Sequence, residues 1–163
     1  MDKMNLILLF PTLFMLHEME EIVFMPKFLK ALKSKENFPT SQFRHFVKVI
    51  SPFQFNLIIF QQLILLFILS IFAYYFHLYI FYMSIMLAFS YHILGHVIQM
   101  ILLKKYVPGV LTGLFSSFLV IYFGGSWSVN WGVTVLLSMV MLVIIIGNLG
   151  LMYRLTGMLN KTN

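Results

Sequence analysis

Three of the five acidic residues in this 163-residue chain lie in one short stretch, His17-Glu18-Met19-Glu20-Glu21. The stretch lies inside an apolar run, where a carboxylate is costly unless it is paired, protonated or bound to a cation. At about 100° per residue on a helix, Glu20 and Glu21 lie on either side of His17 within about 60°, whereas Glu18 lies about 100° away. The spacing therefore predicts that His17, Glu20 and Glu21 share one face of a helix.

A second polar group follows in a later apolar run. His92 and His96 are four residues apart and so lie on one helix face, with Gln99 on the same stripe. Gly95 beside them allows a close approach of another helix. His17 and His96 precede the ends of their apolar runs by nine and eight residues. If the two helices run in the same direction, both histidines lie about 12 to 13 Å before the helix end, and hence at one depth.

Histidine and carboxylate side chains at one depth, in a chain without cysteine, offer the donor atoms that zinc, iron or manganese accept. A proton relay through the same groups is equally compatible with these residue types. Solvated acids in the headgroup zone are a third interpretation. The working prediction is a divalent metal, zinc in the first place, with ligands from His17, Glu20, Glu21, His92 and His96. Glu20 and Glu21 are also the candidate catalytic groups, since a carboxylate that is not a ligand can serve as general base.

The composition indicates which elements must position these residues. Hydrophobic residues make up 61% of the chain and charged residues 10%, against about 25% charged residues in soluble domains. This excludes a water-soluble domain and a disordered chain, and the absence of cysteine excludes a disulfide-built fold. In hydrocarbon the backbone must satisfy its own hydrogen bonds, so each apolar run is predicted to be a helix. We predict an all-α bundle, one integral membrane domain with five transmembrane helices at about residues 4–25, 53–76, 78–103, 108–125 and 130–153.

The basic residues predict how this bundle is oriented. With five spans, one side of the membrane receives ten of the eleven lysines and arginines, and the other side receives only Lys3. The positive-inside rule then predicts an outside N-terminus and a cytoplasmic C-terminus in a multi-pass protein of the cell membrane. The net charge of +6 is attributed to membrane lipid as partner rather than to nucleic acid. Residues 27–50 are expected to form a cytoplasmic amphipathic loop on the membrane surface.

Other polar residues are expected at the depth of the histidines. They are Gln61 and Gln62 in the second span, Ser116 and Ser117 in the fourth, and Asn148 in the fifth. The turn signal Tyr106-Val107-Pro108-Gly109 is expected to start the fourth span. This turn would carry Tyr106 to the mouth of the polar layer. Tyr106, Gln99 and Asn148 are therefore the candidate substrate-binding residues.

The stretch His17-x-x-Glu20-Glu21, followed by Tyr106-x-Pro-Gly109, resembles the motifs of the HXXEE family of small bacterial membrane proteins. That family is defined by H-x-x-E-E, a further histidine and Y-x-P-G. The further histidine corresponds to His96, with His92 as the other candidate. The resemblance covers the chain from the first span to the start of the fourth. It implies which residues matter in a bacterial inner-membrane protein, and that the position of Glu18 is variable, but it implies no reaction because the family's function is not established.

Three functions are compatible with these observations. The first is a metal-dependent hydrolase that acts on a lipid or on a membrane-embedded peptide or amide, since such molecules reach a site near the cytoplasmic leaflet. The second is a transporter or a transporter subunit that uses the carboxylates for proton or cation coupling, which for so small a chain requires a homo-oligomer or a partner membrane protein. The third is a non-catalytic immunity or assembly factor in which the polar cluster specifies helix register.

Overall fold

The computed structural model describes residues 2–33 and 51–159, and these residues form five helices and no strands. The helices are α1 (Lys3–Lys33), α2 (Pro52–Tyr75), α3 (Tyr79–Leu103), α4 (Val110–Gly124) and α5 (Trp131–Leu159). The predicted all-α class is confirmed. Most helix ends fall within two residues of their predicted positions, but α1 continues eight residues past residue 25 and α5 six residues past residue 153.

The extension of α1 changes the start of the predicted amphipathic loop. Residues 27–33 continue α1 through Pro26 and do not form a separate segment. Proline costs a helix one backbone hydrogen bond, and the lysine and leucine residues that follow are good helix formers. The remainder of the predicted loop, residues 34–50, lies outside the described residues.

The residues at the start of α2 favour the beginning of a helix. The Ser51 side chain accepts a hydrogen bond from the backbone N–H of Gln54, and the Gln54 side chain accepts one from the backbone N–H of Ser51. This reciprocal capping box satisfies two N–H groups that the first helical turn leaves free. Pro52 occupies the first helical position, where its missing N–H costs nothing.

The five helices form a ring. Around it, α1 packs against α2 and α4, α4 packs against α3, α3 packs against α5, and α5 returns to α2. Cross-helix contacts show that neighbouring directions alternate for most of the ring. Along α4, Thr112 donates to Glu20 of α1 and the later Ser116 donates to the earlier Leu13 carbonyl, so α1 and α4 are antiparallel. Along α2, Gln54 lies near Gly157 of α5 and the later Gln62 donates to the earlier Asn148, so α2 and α5 are antiparallel. Ser84 of α3 donates to the Thr134 carbonyl at the start of α5, so α3 and α5 are parallel.

The apolar core lies at the end of the bundle that contains the N-terminus of α1. Phe10 of α1 makes edge-to-face contacts with Tyr82 and Phe89 of α3, at ring-centroid distances of 6.0 and 5.4 Å. Leu6 and Val120 are fully buried in the same cluster. These contacts fix α1 parallel to α3, which places the acidic stretch of α1 opposite the two histidines of α3.

Three of the described helices are long and apolar enough to cross a membrane. They are α2, α3 and residues Trp131–Gly157 of α5. α4 has 15 residues, so it is only about 22 Å long, and α1 contains the three glutamates of the acidic stretch. The chain is thus a membrane-like helical protein with three candidate spans in its described part.

Candidate metal centre

His17 is fully buried, and one hydrogen bond determines its orientation. Its Nδ1 atom lies 2.9 Å from the carbonyl oxygen of Gly109, in the turn before α4. A carbonyl oxygen only accepts, so Nδ1 carries the proton and donates it. In a neutral ring the Nε2 atom then has a free lone pair, which is the arrangement found in metal-binding histidines whose second nitrogen is held by the backbone.

The lone pair of His17 is directed towards three other donor residues. One ligand atom from each of His17, Glu21, His92 and His96 lies within 4.8 Å of the others. The Nε2 atom of His96 is 3.0 Å from Oε1 of Glu21 and 2.9 Å from Nε2 of His92. The Nε2 atom of His17 is 3.8 Å from the same Glu21 oxygen. We call these four residues the His/Glu group.

Protons alone do not satisfy the His/Glu group. His96 Nε2 can donate a single proton, either to Glu21 or to His92, so the other contact is left without one. Among the described residues, His17 Nε2 is a buried side-chain atom with no hydrogen-bond partner, and Glu21 Oε1 has no partner other than the His96 nitrogen at 3.0 Å. Buried unpaired polar atoms are costly. A divalent cation between these atoms would accept their lone pairs, so the donor set fits a metal.

Glu20 is not part of the His/Glu group, although it lies on the predicted shared face. Its Oε2 atom accepts a hydrogen bond of 2.9 Å from the backbone N–H of Thr112 and one of 2.6 Å from the Thr112 hydroxyl. Its other oxygen accepts a hydrogen bond from the Tyr106 hydroxyl. Glu20 therefore supplies the N-terminal cap of α4 from a neighbouring helix, where a carboxylate also meets the positive end of the helix dipole.

Tyr106 contacts this cap and not the His/Glu group. Its hydroxyl donates to Glu20 and also accepts a hydrogen bond of 3.4 Å from the backbone N–H of Leu111. Partial burial and the hydrogen bond to the Glu20 carboxylate raise the pKa of the Tyr106 phenol. The candidate substrate-binding residue thus lies at the half-exposed edge of the site, bound to α1.

Two glycines, one in the turn before α4 and one in α4, allow this part of the chain to pack closely against α1. Gly109 has a φ of +90°, and a Cβ atom there would lie 2.6 Å from Cε1 of His17 and 2.9 Å from Oε1 of Glu21. A Cβ atom at Gly113 would lie 3.1 Å from Nδ1 of His17. At Gly95, which would allow a close helix approach, a Cβ atom would have no described neighbour within 4 Å. The Pro108-Gly109 pair, which predicts a turn that carries Tyr106 towards the polar layer, also provides the glycine that contacts His17.

A cavity of about 360 Å³ adjoins the His/Glu group between α1, α2, α3 and α5. His92 belongs to both, since it lines the cavity. Glu18, which the helical angle places off the shared face, is buried in the wall of this cavity. Gln62 and Asn148 complete its polar lining and are hydrogen-bonded to each other.

The remaining predicted polar residues lie outside the His/Glu group. Gln61 accepts a hydrogen bond from its neighbour Gln62. Ser116 donates to the Leu13 carbonyl, and Ser117 is buried. Gln99 lies partly exposed on α3, three residues beyond His96. Of the candidate substrate-binding residues, only Asn148 lies in the cavity wall.

Residues 8–124 match the family described as proteins of unknown function with an HXXEE motif. The matched range is more than two thirds of the chain and contains the whole His/Glu group. The chain belongs to this family. The HXXEE chain has no match among curated proteins or among solved structures. In its structure the two family motifs meet, since the H-x-x-E-E histidine donates to the carbonyl of the glycine that ends Y-x-P-G.

Proposed function

We propose that this HXXEE protein is a multi-pass membrane protein that binds a divalent metal in the His/Glu group. The observation that carries the proposal is the convergence of three imidazoles and one carboxylate within 4.8 Å, with buried donor atoms that lack partners. Nitrogen and oxygen donors without sulfur suit zinc first and iron or manganese next. We further propose that the metal serves hydrolysis of a lipid or of a membrane-embedded amide.

The burial of the four residues suggests their roles. His17, Glu21 and His96 are buried and would hold the metal, whereas His92 is accessible from the cavity. Catalytic zinc sites have three protein ligands and one open coordination position, which here would face the cavity. A divalent metal supplies Lewis acidity and lowers the pKa of water. In this arrangement, the buried Glu18 carboxyl in the cavity wall replaces Glu20 as the candidate general base, because Glu20 is bound to Thr112 and Tyr106.

Five membrane passes remain part of the proposal. The alternating directions of α1, α2, α3 and α4 suit a chain that crosses the membrane repeatedly, and α5 returns parallel to α3. The basic residues then support an outside N-terminus and a cytoplasmic C-terminus. In this orientation the His/Glu group lies in the half of the bundle near the cytoplasmic leaflet.

The test is the metal content of purified, untagged protein, measured by elemental analysis. Wild-type protein is compared with His17→Ala and His96→Ala, and with His77→Asn as control. His77 is exposed in the α2–α3 turn at a φ of +54°, a conformation that asparagine tolerates. We expect about one equivalent of metal in wild type and in the control, and a loss of at least tenfold in both other variants.

Folded wild-type protein that contains no metal and cannot be loaded with zinc, iron or manganese would overturn the metal site. The transporter alternative would then gain support, since Glu18 and Glu21 are two buried carboxyl groups able to exchange protons beside a cavity. Substrate-linked proton flux in liposomes would separate that function from hydrolysis.

A further inference from the structure

The cavity beside the His/Glu group lies between α2 and the helices that face it across the ring. α2 packs closely on α1 and less closely on α3 and α5. The cavity therefore lies between four helices, is open on one side, and is lined mostly by aliphatic and aromatic side chains. Its polar lining residues are Glu18 of α1, Gln62 of α2, His92 of α3 and Asn148 of α5.

These four polar residues all lie at the same end of the cavity. The apolar lining residues furthest from them along each helix are Phe10 in α1, Leu69 in α2, Phe81 in α3 and Met141 in α5. They are separated from the polar residues by seven to eleven residues, or about 10 to 16 Å of helix rise. Given the directions of the four helices, each separation runs the same way. The cavity is thus a slot with a polar end at the metal site and an apolar end in the opposite half of the bundle.

The volume of the slot suits one medium-length hydrocarbon chain. A cavity of about 150 Å³ takes up one benzene molecule, so 360 Å³ has room for roughly twice as many carbon atoms. Two chains of a phospholipid would exceed this space. A single chain of about twelve carbons would fill it, at the volume per carbon that benzene takes.

The polar end determines which head group fits. Gln62 and Asn148 offer amide donors and acceptors, and Glu18 and His92 offer further hydrogen-bonding atoms. The described lining residues include no lysine or arginine. In metal-free protein, an anionic head would therefore meet the Glu18 carboxyl without a compensating cation, whereas an uncharged ester or amide would find both donors and acceptors.

We propose that the slot binds a lipid with a single acyl chain and an uncharged, ester- or amide-linked head group, with the carbonyl next to His92. Monoacylglycerols and N-acyl amides have this chemistry. The inference rests on the proposed function in identifying this lipid as the substrate. The binding itself requires only the slot, so it can be tested without metal or turnover.

The probe is a monoacylglycerol with a chain of about twelve carbons and a photoreactive diazirine near its methyl end. Purified full-length protein in detergent is irradiated with the probe, and the labelled peptides are mapped by mass spectrometry. We expect labels near Phe81 and Met141, at the apolar end of the slot. An excess of unlabelled monoacylglycerol should reduce labelling at least fivefold, and in metal-free protein the corresponding fatty acid anion should compete less well.

Two neighbouring positions of α2 provide a matched pair of variants. Leu65 and the adjacent Ile64 are similarly exposed, at 38% and 45%, but only Leu65 lines the slot. Leu65→Trp should reduce labelling at least fivefold, and Ile64→Trp should stay within twofold of wild type. Equal labelling of the two variants, or wild-type labelling that unlabelled lipid does not compete with, would overturn the proposal even if Leu65→Trp fails to fold.

Metal content is measured on the same samples. Selective labelling of metal-free protein would mean that the slot binds lipid and that the proposed metal function fails. Metal-loaded protein with unselective labelling would mean that the metal site exists and that the lipid proposal fails.

Discussion

At the scale of single residues, Gly109 connects the two motifs of the family. Its carbonyl oxygen accepts the His17 proton at 2.9 Å, and its missing side chain leaves room for the His17 ring and the Glu21 carboxylate. One residue therefore orients a candidate ligand through its backbone and admits two ligands through its size. The requirement for glycine is stronger than in an ordinary turn, because both the positive φ and the lack of space exclude a Cβ atom.

We predict that Gly109→Ala lowers both stability and metal content. A left-handed conformation costs a residue other than glycine about 1–2 kcal/mol, and the new methyl group would also displace His17 or Glu21. Gly150→Ala is the control, since a Cβ atom there has no described neighbour within 4 Å. In the helix α5 it should raise stability by roughly 0.5–1 kcal/mol. Thermal unfolding in detergent and elemental analysis measure the two effects. Wild-type metal content in folded Gly109→Ala would contradict the role given to Gly109.

The sequence predicted which residues meet but not how each carboxylate is used. The i, i+4 spacing of the histidines and the matching depths correctly brought α1 and α3 together at His17 and His96. Helical angles could not separate Glu20 from Glu21, since both lie within about 60° of His17. Which neighbour each side chain meets depends on the placement of α4, and this tertiary information is absent from the local pattern.

At the scale of elements, the packing of α4 against α1 determines the site. α4 has no capping side chain of its own at Gly109, and Glu20 of α1 binds the free N–H group and the hydroxyl of Thr112 instead. Formation of this cap brings the turn before α4 against His17. The adjacent glutamates thus have different tasks: Glu20 joins two helices, and Glu21 belongs to the His/Glu group.

We predict that the same substitution at these two glutamates affects metal binding in only one of them. Glu20→Gln should retain its metal and lose about 0.3–1 kcal/mol of stability, the usual value of a carboxylate at a helix N-terminus. Glu21→Gln should lose metal at least tenfold because it removes a charged ligand. Metal analysis and thermal unfolding measure the two effects, and each variant is the control for the other. Loss of metal in Glu20→Gln and retention in Glu21→Gln would reverse the assignment.

The helices themselves were largely predictable, and the exceptions have physical causes. The apolar runs located α2 and α3 to within about two residues. α1 was predicted too short because Pro26 and the following lysines suggested a boundary, whereas the helix continues through them. The cavity was not predictable, since it arises from the loose packing of α2 on α3 and α5.

At the scale of the whole molecule, the site depends on four helices that meet inside an apolar bundle. The metal ligands come from α1 and α3, the turn before α4 orients one of them, and α2 and α5 enclose the adjacent slot. The outer surfaces of α2 and α5 are rich in exposed leucine and isoleucine, together with phenylalanine on α2 and valine on α5, as expected for helices that face lipid.

The proposed orientation with five spans can be tested by cysteine labelling. The sequence contains no cysteine, so a single introduced cysteine is the only one that can react. A single cysteine at Ser128, between α4 and α5, should react in intact cells with a maleimide that does not cross membranes. A single cysteine at Thr162 should react only after the membrane is permeabilised, since the C-terminus is placed in the cytoplasm. The wild-type chain gives the background. Reaction of both cysteines in intact cells would contradict a membrane crossing by α5, the helix that lies between them.

The most direct measurement of the central claim is anomalous diffraction from wild-type crystals grown with zinc, recorded on both sides of the zinc absorption edge. We predict one strong peak between α1 and α3, about 2.0–2.2 Å from Nε2 of His17, Nε2 of His96 and a carboxylate oxygen of Glu21. A structure in which these three residues converge as described, while zinc is absent from the space between them, would contradict the claim that the HXXEE motif builds a metal site.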